Sequence, residues 1–189
     1  MKVSRRQADR NRDAVLRAAS AMFRERGVEA TSVAEIYHRV GLTHGGLYAQ
    51  FPGGKETLAA EAIGHAFVER RDAWEDLART HSPAECLRVI VENYVSAAHR
   101  DDPATGCPTP SIGAEAGRHD GPVRAAYTGG VRELLDSLSH VAPGDSEPER
   151  RTAALRILST LTGAMLISRA VDDPALADEI LGAIDPAIT

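Results

Sequence analysis

The stretch from Thr31 to Phe51, TSVAEIYHRVGLTHGGLYAQF, limits the fold of this chain more than any other. Ser32-Val33-Ala34-Glu35 has the S-x-x-E form of a capping box, in which the serine hydroxyl accepts from the Glu35 amide and Glu35 reaches back to the cap. Val33, Ile36 and Val40 then recur at helical spacing and mark one apolar face. Gly41 follows where a left-handed residue ends a helix at least cost. Leu42 is placed to plug the corner, and Thr43 is the next N-cap candidate. His44-Gly45-Gly46-Leu47-Tyr48 would form the first turns of a second helix. Two short helices joined by three or four residues that include a glycine make a helix-turn-helix. Adjacent glycines inside a helix cost roughly 1 kcal/mol each relative to alanine. A helix that brings its backbone against a DNA edge tolerates them; the competing reading is a plain loop with Tyr48 as a core aromatic.

Thr31-Ser32, Glu35-Ile36, Val40-Gly41-Leu42-Thr43, Gly46-Leu47-Tyr48, Phe51 and Lys55-Glu56-Thr57-Leu58 together resemble the DNA-binding domain of the TetR/AcrR family of helix-turn-helix repressors. The resemblance covers the first third of the chain. It departs from the family where Gly53-Gly54 stand before Lys55 in place of a serine, which weakens the cap of the next helix, and where Arg39 precedes Val40-Gly41 in place of an alanine. It implies an all-α protein: a three-helix head over residues 1–54 and a helical effector-binding and dimerisation body over 55–189. It further implies a homodimeric repressor on a pseudo-palindromic double-stranded DNA operator, without a cofactor. Ser32, Thr43, His44, Gly45, Gly46, Tyr48 and Lys55 are the DNA-binding candidates. Thr43 to Gly46 would face the major groove, with Tyr48 and Lys55 on phosphate.

Charge is divided in the sense this reading requires. Residues 1–55 hold ten Lys/Arg against five Asp/Glu; the remainder holds twelve against twenty-two. A basic head on an acidic body is expected when only one part meets phosphate. No apolar run is long enough to span a bilayer. The basic N-terminus lacks the apolar segment of an export signal. With Cys86 and Cys107 then expected as reduced thiols, the chain reads as cytoplasmic.

The rest of the chain is helical in pattern. Met1 to Arg6 is a polar lead, and a helix is expected from Asp9 to Gly27 with Val15, Leu16, Ala19, Met22 and Phe23 on one face. Phe51-Pro52-Gly53-Gly54 is a break, after which Lys55 opens a long helix to about Arg79. Ser82-Pro83 starts another, expected to run to about Arg100. Asp101 to Pro110 interrupts, Ser111 to Gly117 is a short helix, and Gly121-Pro122 starts one carried by Val123, Tyr127, Val131, Leu134, Leu135 and Leu138. A polar loop from Ala142 to Pro148 leads to helices over Glu149–Val171 and Pro174–Ile184. Both carry apolar residues on more than one face, so a second copy of the chain is the expected partner, with Leu161 among the interface residues. The competing reading buries both faces inside one subunit.

No catalytic constellation is present: there is no G-x-S-x-G, P-loop or G-x-G-x-x-G. No H-x3-H or C-x2-C pair appears among seven scattered histidines and two cysteines, so neither metal nor enzymatic activity is expected. Cys107, in Thr105-Gly106-Cys107-Pro108 just before a short helix, is the candidate sensing thiol; a small buried hydrophobe is the plainer reading. Phe67, Trp74, Tyr94, Ile112, Tyr127 and Met165 are the candidate lining of an effector pocket, or simply core. The alternative function is a small-molecule-binding or enzymatic helical bundle that does not act on DNA. A bundle enzyme would need inward carboxylates in an E-x-x-H arrangement, and none is found.

Overall fold

The computed structural model describes residues 4–185, apart from the side chain of His44. Met1 to Val3, the start of the expected polar lead, lie outside the described residues. The secondary structure of the described residues is all α, as expected.

Helix α1 (Arg5–Arg26) begins four residues before the expected Asp9 because the Ser4 hydroxyl accepts from the Gln7 amide. It ends at Gly27, whose φ of 85° is open to glycine at no steric cost. Helix α2 (Val33–Arg39) carries the expected capping box of Ser32 and Glu35. Gly41 has φ 70° and turns the chain. A single 3-10 turn over His44–Gly46 then leads into α3 (Leu47–Gln50).

Helix α4 (Gly54–Thr80) is the spine. Gly53 before it provides no side-chain cap, as the missing serine implies. It packs on α1 and, along most of its length, on α8 (Pro122–Ser139). Leu58, Ala62, Ile63, Phe67 and Trp74 form its buried side. Phe67 fits α8 closely: a methyl group at Gly130 would come within 2.1 Å of its ring.

The helix expected from Ser82 to Arg100 is two helices. Helix α5 (Pro83–Tyr94) stops at Val95, and α6 (Ala97–Asp101) restarts with Ser96 capping the His99 amide. Helix α7 (Pro108–Ala116) begins three residues earlier than expected, with Pro108 in its first turn. It touches α1, α4, α8 and α9 (Glu147–Ala170), and so lies beneath the head. Helix α9 starts at Glu147, not Glu149, because Ser146 and Glu149 form another capping box. Helix α10 (Pro174–Gly182) lies against α9 and ends two residues before the expected Ile184.

One continuous apolar cluster runs from Val15 in α1 through α4 to Leu181 in α10. Leu161 is fully buried in it, so it is a core residue of its own subunit and not a surface one. The outward face of α9 carries Leu155, Ser159, Leu166 and Ile167, and α10 adds Leu176. No helix of the described residues is long and apolar enough to cross a membrane.

Candidate nucleic-acid interface

The head is held rigid from behind. The Arg12 guanidinium of α1 lies 4.9 Å from the centre of the Phe51 ring. It also donates to the Gln50 carbonyl and pairs with Glu61 of α4. Phe51 is fully buried beneath it. The Tyr37 hydroxyl donates to Gln50 Oε1 at 3.0 Å, which ties α2 to α3, and burial raises the Tyr37 pKa. Thr31 is buried and donates to the Gly27 carbonyl at 2.8 Å. Neither Arg12 nor Gln50 was singled out from the sequence, since a polar residue on a helix face carries no sign of what packs across from it.

With the rear face so fixed, the front edge is free. Thr43 and Gly45 are exposed and Gly46 half-buried. A methyl group at Gly45 would meet nothing within 4 Å, and one at Gly46 only the Gln50 amide at 3.8 Å. Nothing among the described residues therefore requires these two glycines. Tyr48 is 73% exposed, which removes the core reading of that ring. Its edge rests on the Gly54 backbone, where φ is 69° and a methyl group would lie 3.2 Å from Tyr48 Cε1. Ser32 is exposed and serves α2 as its cap; its hydrogen bonds keep the Glu35 carboxyl below its usual pKa. Lys55, half-buried at the start of α4, donates to the Glu29 carbonyl at 3.2 Å. His44, as to its side chain, is outside the described residues.

Two further polar clasps join the head to α7 and to the loop before it. Glu115 of α7 accepts from the amides of Val28 and Glu29 at 2.8 and 2.7 Å. A methyl group at Gly27 would come 2.7 Å from Glu115 Oε2, so glycine there serves both the turn and the approach. Arg24 of α1 is buried and donates to the Gly106 carbonyl at 2.9 Å, to Ser20 and to Glu69. Desolvation lowers its pKa, and Glu69 partly offsets this. Glu29, Glu115 and His119 bring ligand-type atoms within 4.8 Å of one another, a grouping the sequence spacing did not suggest; both Glu115 oxygens already accept backbone N–H groups.

The candidate effector residues fall into one polar knot and its apolar walls. Cys107 is fully buried, with Sγ 3.2 Å from Thr109 Oγ1. Thr109 also meets the Tyr94 hydroxyl at 2.8 Å and accepts from Thr162, while the Tyr127 hydroxyl donates to its carbonyl. Burial drives the Tyr94 pKa well up and that of Tyr127 to about 12. His99 Nδ1 donates to the Tyr94 carbonyl and Nε2 accepts from the Cys107 amide, so the ring is neutral; burial lowers its pKa to about 4. Phe67 meets Tyr127 edge-on at 5.5 Å. Ile112 and Met165 are buried close to full, and Trp74 is buried on α4. Cys86 is buried, which raises its thiol pKa.

The chain is similar to known proteins over both its head and its body. Residues 15–62 match the family model of bacterial regulatory proteins of the tetR family, and residues 83–184 match that of the tetracyclin repressor-like C-terminal domain. The HTH-type transcriptional regulator Rv0196 of Mycobacterium tuberculosis is 28% identical over 169 residues, covering 84% of each chain. The HTH-type transcriptional regulator LmrA of Bacillus subtilis is 26% identical over 161 residues, covering 84% of this chain and 86% of its own. A transcriptional regulator of the TetR family from Cytophaga hutchinsonii has the same fold, with a TM-score of 0.78 at 21% identity over 100% of this chain and 96% of that one. Since the two family matches take in the head and the body in turn, the chain belongs to the TetR family and is a DNA-binding transcriptional regulator, not an enzyme.

Proposed function

We propose that the protein is a cytoplasmic, homodimeric repressor that binds a pseudo-palindromic operator and leaves it when an effector binds or Cys107 is modified. Residues 1–54 serve as the DNA-reading head and 55–189 as the dimerising, sensing body. The observation that carries this reading is the exposure of Thr43, Gly45 and Tyr48, with two glycines that no contact among the described residues requires. Thr43, His44, Gly45 and Gly46 read base edges; Ser32, Tyr48 and Lys55 hold phosphate. Dimerisation uses the outward faces of α9 and α10, where Ile167 and Leu176 stand exposed beside the small residues Ser159 and Gly163. The buried thiol of Cys107 meets Thr109, its backbone amide donates to the His99 ring, and it follows the Gly106 carbonyl of the Arg24 clasp, so an adduct there would press on the contact between head and body. The residues from Phe67 to Met165 named above line the alternative, a ligand within the body.

The test is DNA binding by single-residue variants. Phosphate contacts position and base contacts specify. Lys55→Ala weakens binding to all sequences and lowers its salt dependence, whereas His44→Ala alters sequence preference. Equal loss of specific and random DNA binding for His44→Ala contradicts the assignment of the reading edge.

A further inference from the structure

A cleft of about 940 Å³ lies between the head and the body. Its upper wall is the C-terminal end of α1 with the loop that follows. Its lower wall is α7, the residues just after it and the last turn of α9. Most charges along it are matched. Arg24 has Glu69 at 3.3 Å, Arg26 has Glu35 at 3.7 Å, and Arg100 has Asp101 and Asp178. Glu25 has Arg39 at 3.6 Å, Glu29 has His119 at 3.5 Å, and Glu115 accepts the two amides of the head.

Two guanidiniums remain. Arg118 is exposed and, among the described residues, its side chain makes no hydrogen bond or ion pair. Arg169 is half-buried. It donates to the carbonyls of His99 and Arg100 and to Ser111 Oγ at 3.0 Å, and no carboxylate of the described residues lies within ion-pair reach. Neutral acceptors satisfy those N–H groups, and the Asp101 and Asp102 carboxylates act on its charge only from beyond ion-pair distance, beside the partial charge of the α6 end. Cations removed from water are ordinarily matched by an anion. Beside them the cleft wall is apolar at Ala114 and Pro110, with Leu166 of the outward α9 face at its edge.

We infer that this cleft binds a small organic anion, a carboxylate- or phosphate-bearing molecule whose acidic groups meet Arg169 and Arg118 and whose apolar part lies against Ala114 and Pro110. A guanidinium presents a planar fork of donors that suits either oxyanion. Because one wall belongs to the head and the other to the body, an occupant favours one placement of the two. That consequence rests on the proposed operator-binding function; the binding itself does not.

Calorimetry on the full chain, free of DNA, tests the site, with citrate and inorganic pyrophosphate as the probes of the two chemistries. At least one binds wild type with a Kd below about 1 mM, and binding weakens as salt rises. Arg169→Gln loses it by about tenfold or more. Arg118→Gln, at an exposed side chain with no hydrogen bond or ion pair among the described residues, weakens it at least about threefold with an unchanged Tm. No binding of either probe at about 10 mM, or equal binding by wild type and both variants, overturns the site. Operator affinity is then measured with the bound probe. A shift in wild type that is absent in Arg118→Gln supports the regulatory consequence, and an unchanged operator affinity overturns it. Failure of the chain to bind any DNA contradicts the proposed function and leaves the calorimetric result standing.

Discussion

Replacing Glu115 with Ala removes the carboxylate that joins α7 to the start of the reading head. Its two oxygens accept from Val28 and Glu29 at 2.8 and 2.7 Å, and its side chain is 15% exposed. Val28 is 3% exposed, so its amide is left without an acceptor; an unsatisfied buried donor costs about 1–3 kcal/mol. Glu29 is exposed, and its amide can turn to water at a loss of about 0.5–1 kcal/mol. The sum is about 1.5–4 kcal/mol. Glu115→Gln keeps one carbonyl acceptor but sets an NH2 against the second amide, so it falls between, near 1–2 kcal/mol. Denaturant unfolding measures the total, and amide hydrogen exchange at Val28 measures the local part. Exchange at Val28 rises in Glu115→Ala while the amides of α8 stay protected. A stability change under about 0.5 kcal/mol together with unchanged exchange at Val28 would refute the clasp.

Gly130→Ala places a methyl group 2.1 Å from the Phe67 ring; overpacking of this kind costs about 1–3 kcal/mol, seen as a lower Tm. His99 has its pKa lowered from the usual 6.5 to about 4. The neutral ring is favoured in the folded chain, so its contribution is complete above pH 6.5 and is lost as pH falls toward 4. The loss reaches roughly 3 kcal/mol, and His99→Gln flattens that part of the pH–stability curve. Ile167, 52% exposed on α9, reports on dimerisation: Ile167→Glu yields folded monomers in sedimentation, whereas Leu161→Glu, at a fully buried site, unfolds the chain.

Much of the fold was legible because its signals are local. Ser32 and Glu35, Ser82 before Pro83, and the glycines at 27 and 41 each fix one helix end by short-range chemistry, and the structure places them as read. Ser146 with Glu149 carries the same signal and would have set the start of α9 at Glu147. The break at Val95 was hidden because Val91, Tyr94 and Ala98 continue a helical period across it; only Ser96, as a cap, marks the restart. Leu161 looked like interface because a helix apolar on two sides does not say which side the same chain covers. The two clasps were not legible at all: Glu115 lies 86 residues from Glu29, and Arg24 lies 82 from Gly106. A carboxylate that accepts backbone amides leaves no pattern in spacing. The glycine pair drew attention to the edge from Thr43 to Tyr48 as a costly feature of a helix interior, but Gly45 and Gly46 lie in a 3-10 turn ahead of α3 and not within it.

The proposed reading rests most directly on two heads held at a fixed separation by one dimer. Fluorescence anisotropy on an operator selected from random DNA, and on the same operator with about five base pairs inserted between its half-sites, measures this. Heads about 34–36 Å apart read half-sites on one face of the duplex, one helical turn apart. Half a turn of insertion moves the second half-site to the opposite face, and affinity should fall by at least about tenfold, since one mismatched base pair alone costs about 1–3 kcal/mol. Binding of two chains per operator with that loss is the predicted result. Equal affinity for both duplexes, or one chain per operator at saturation, would contradict it.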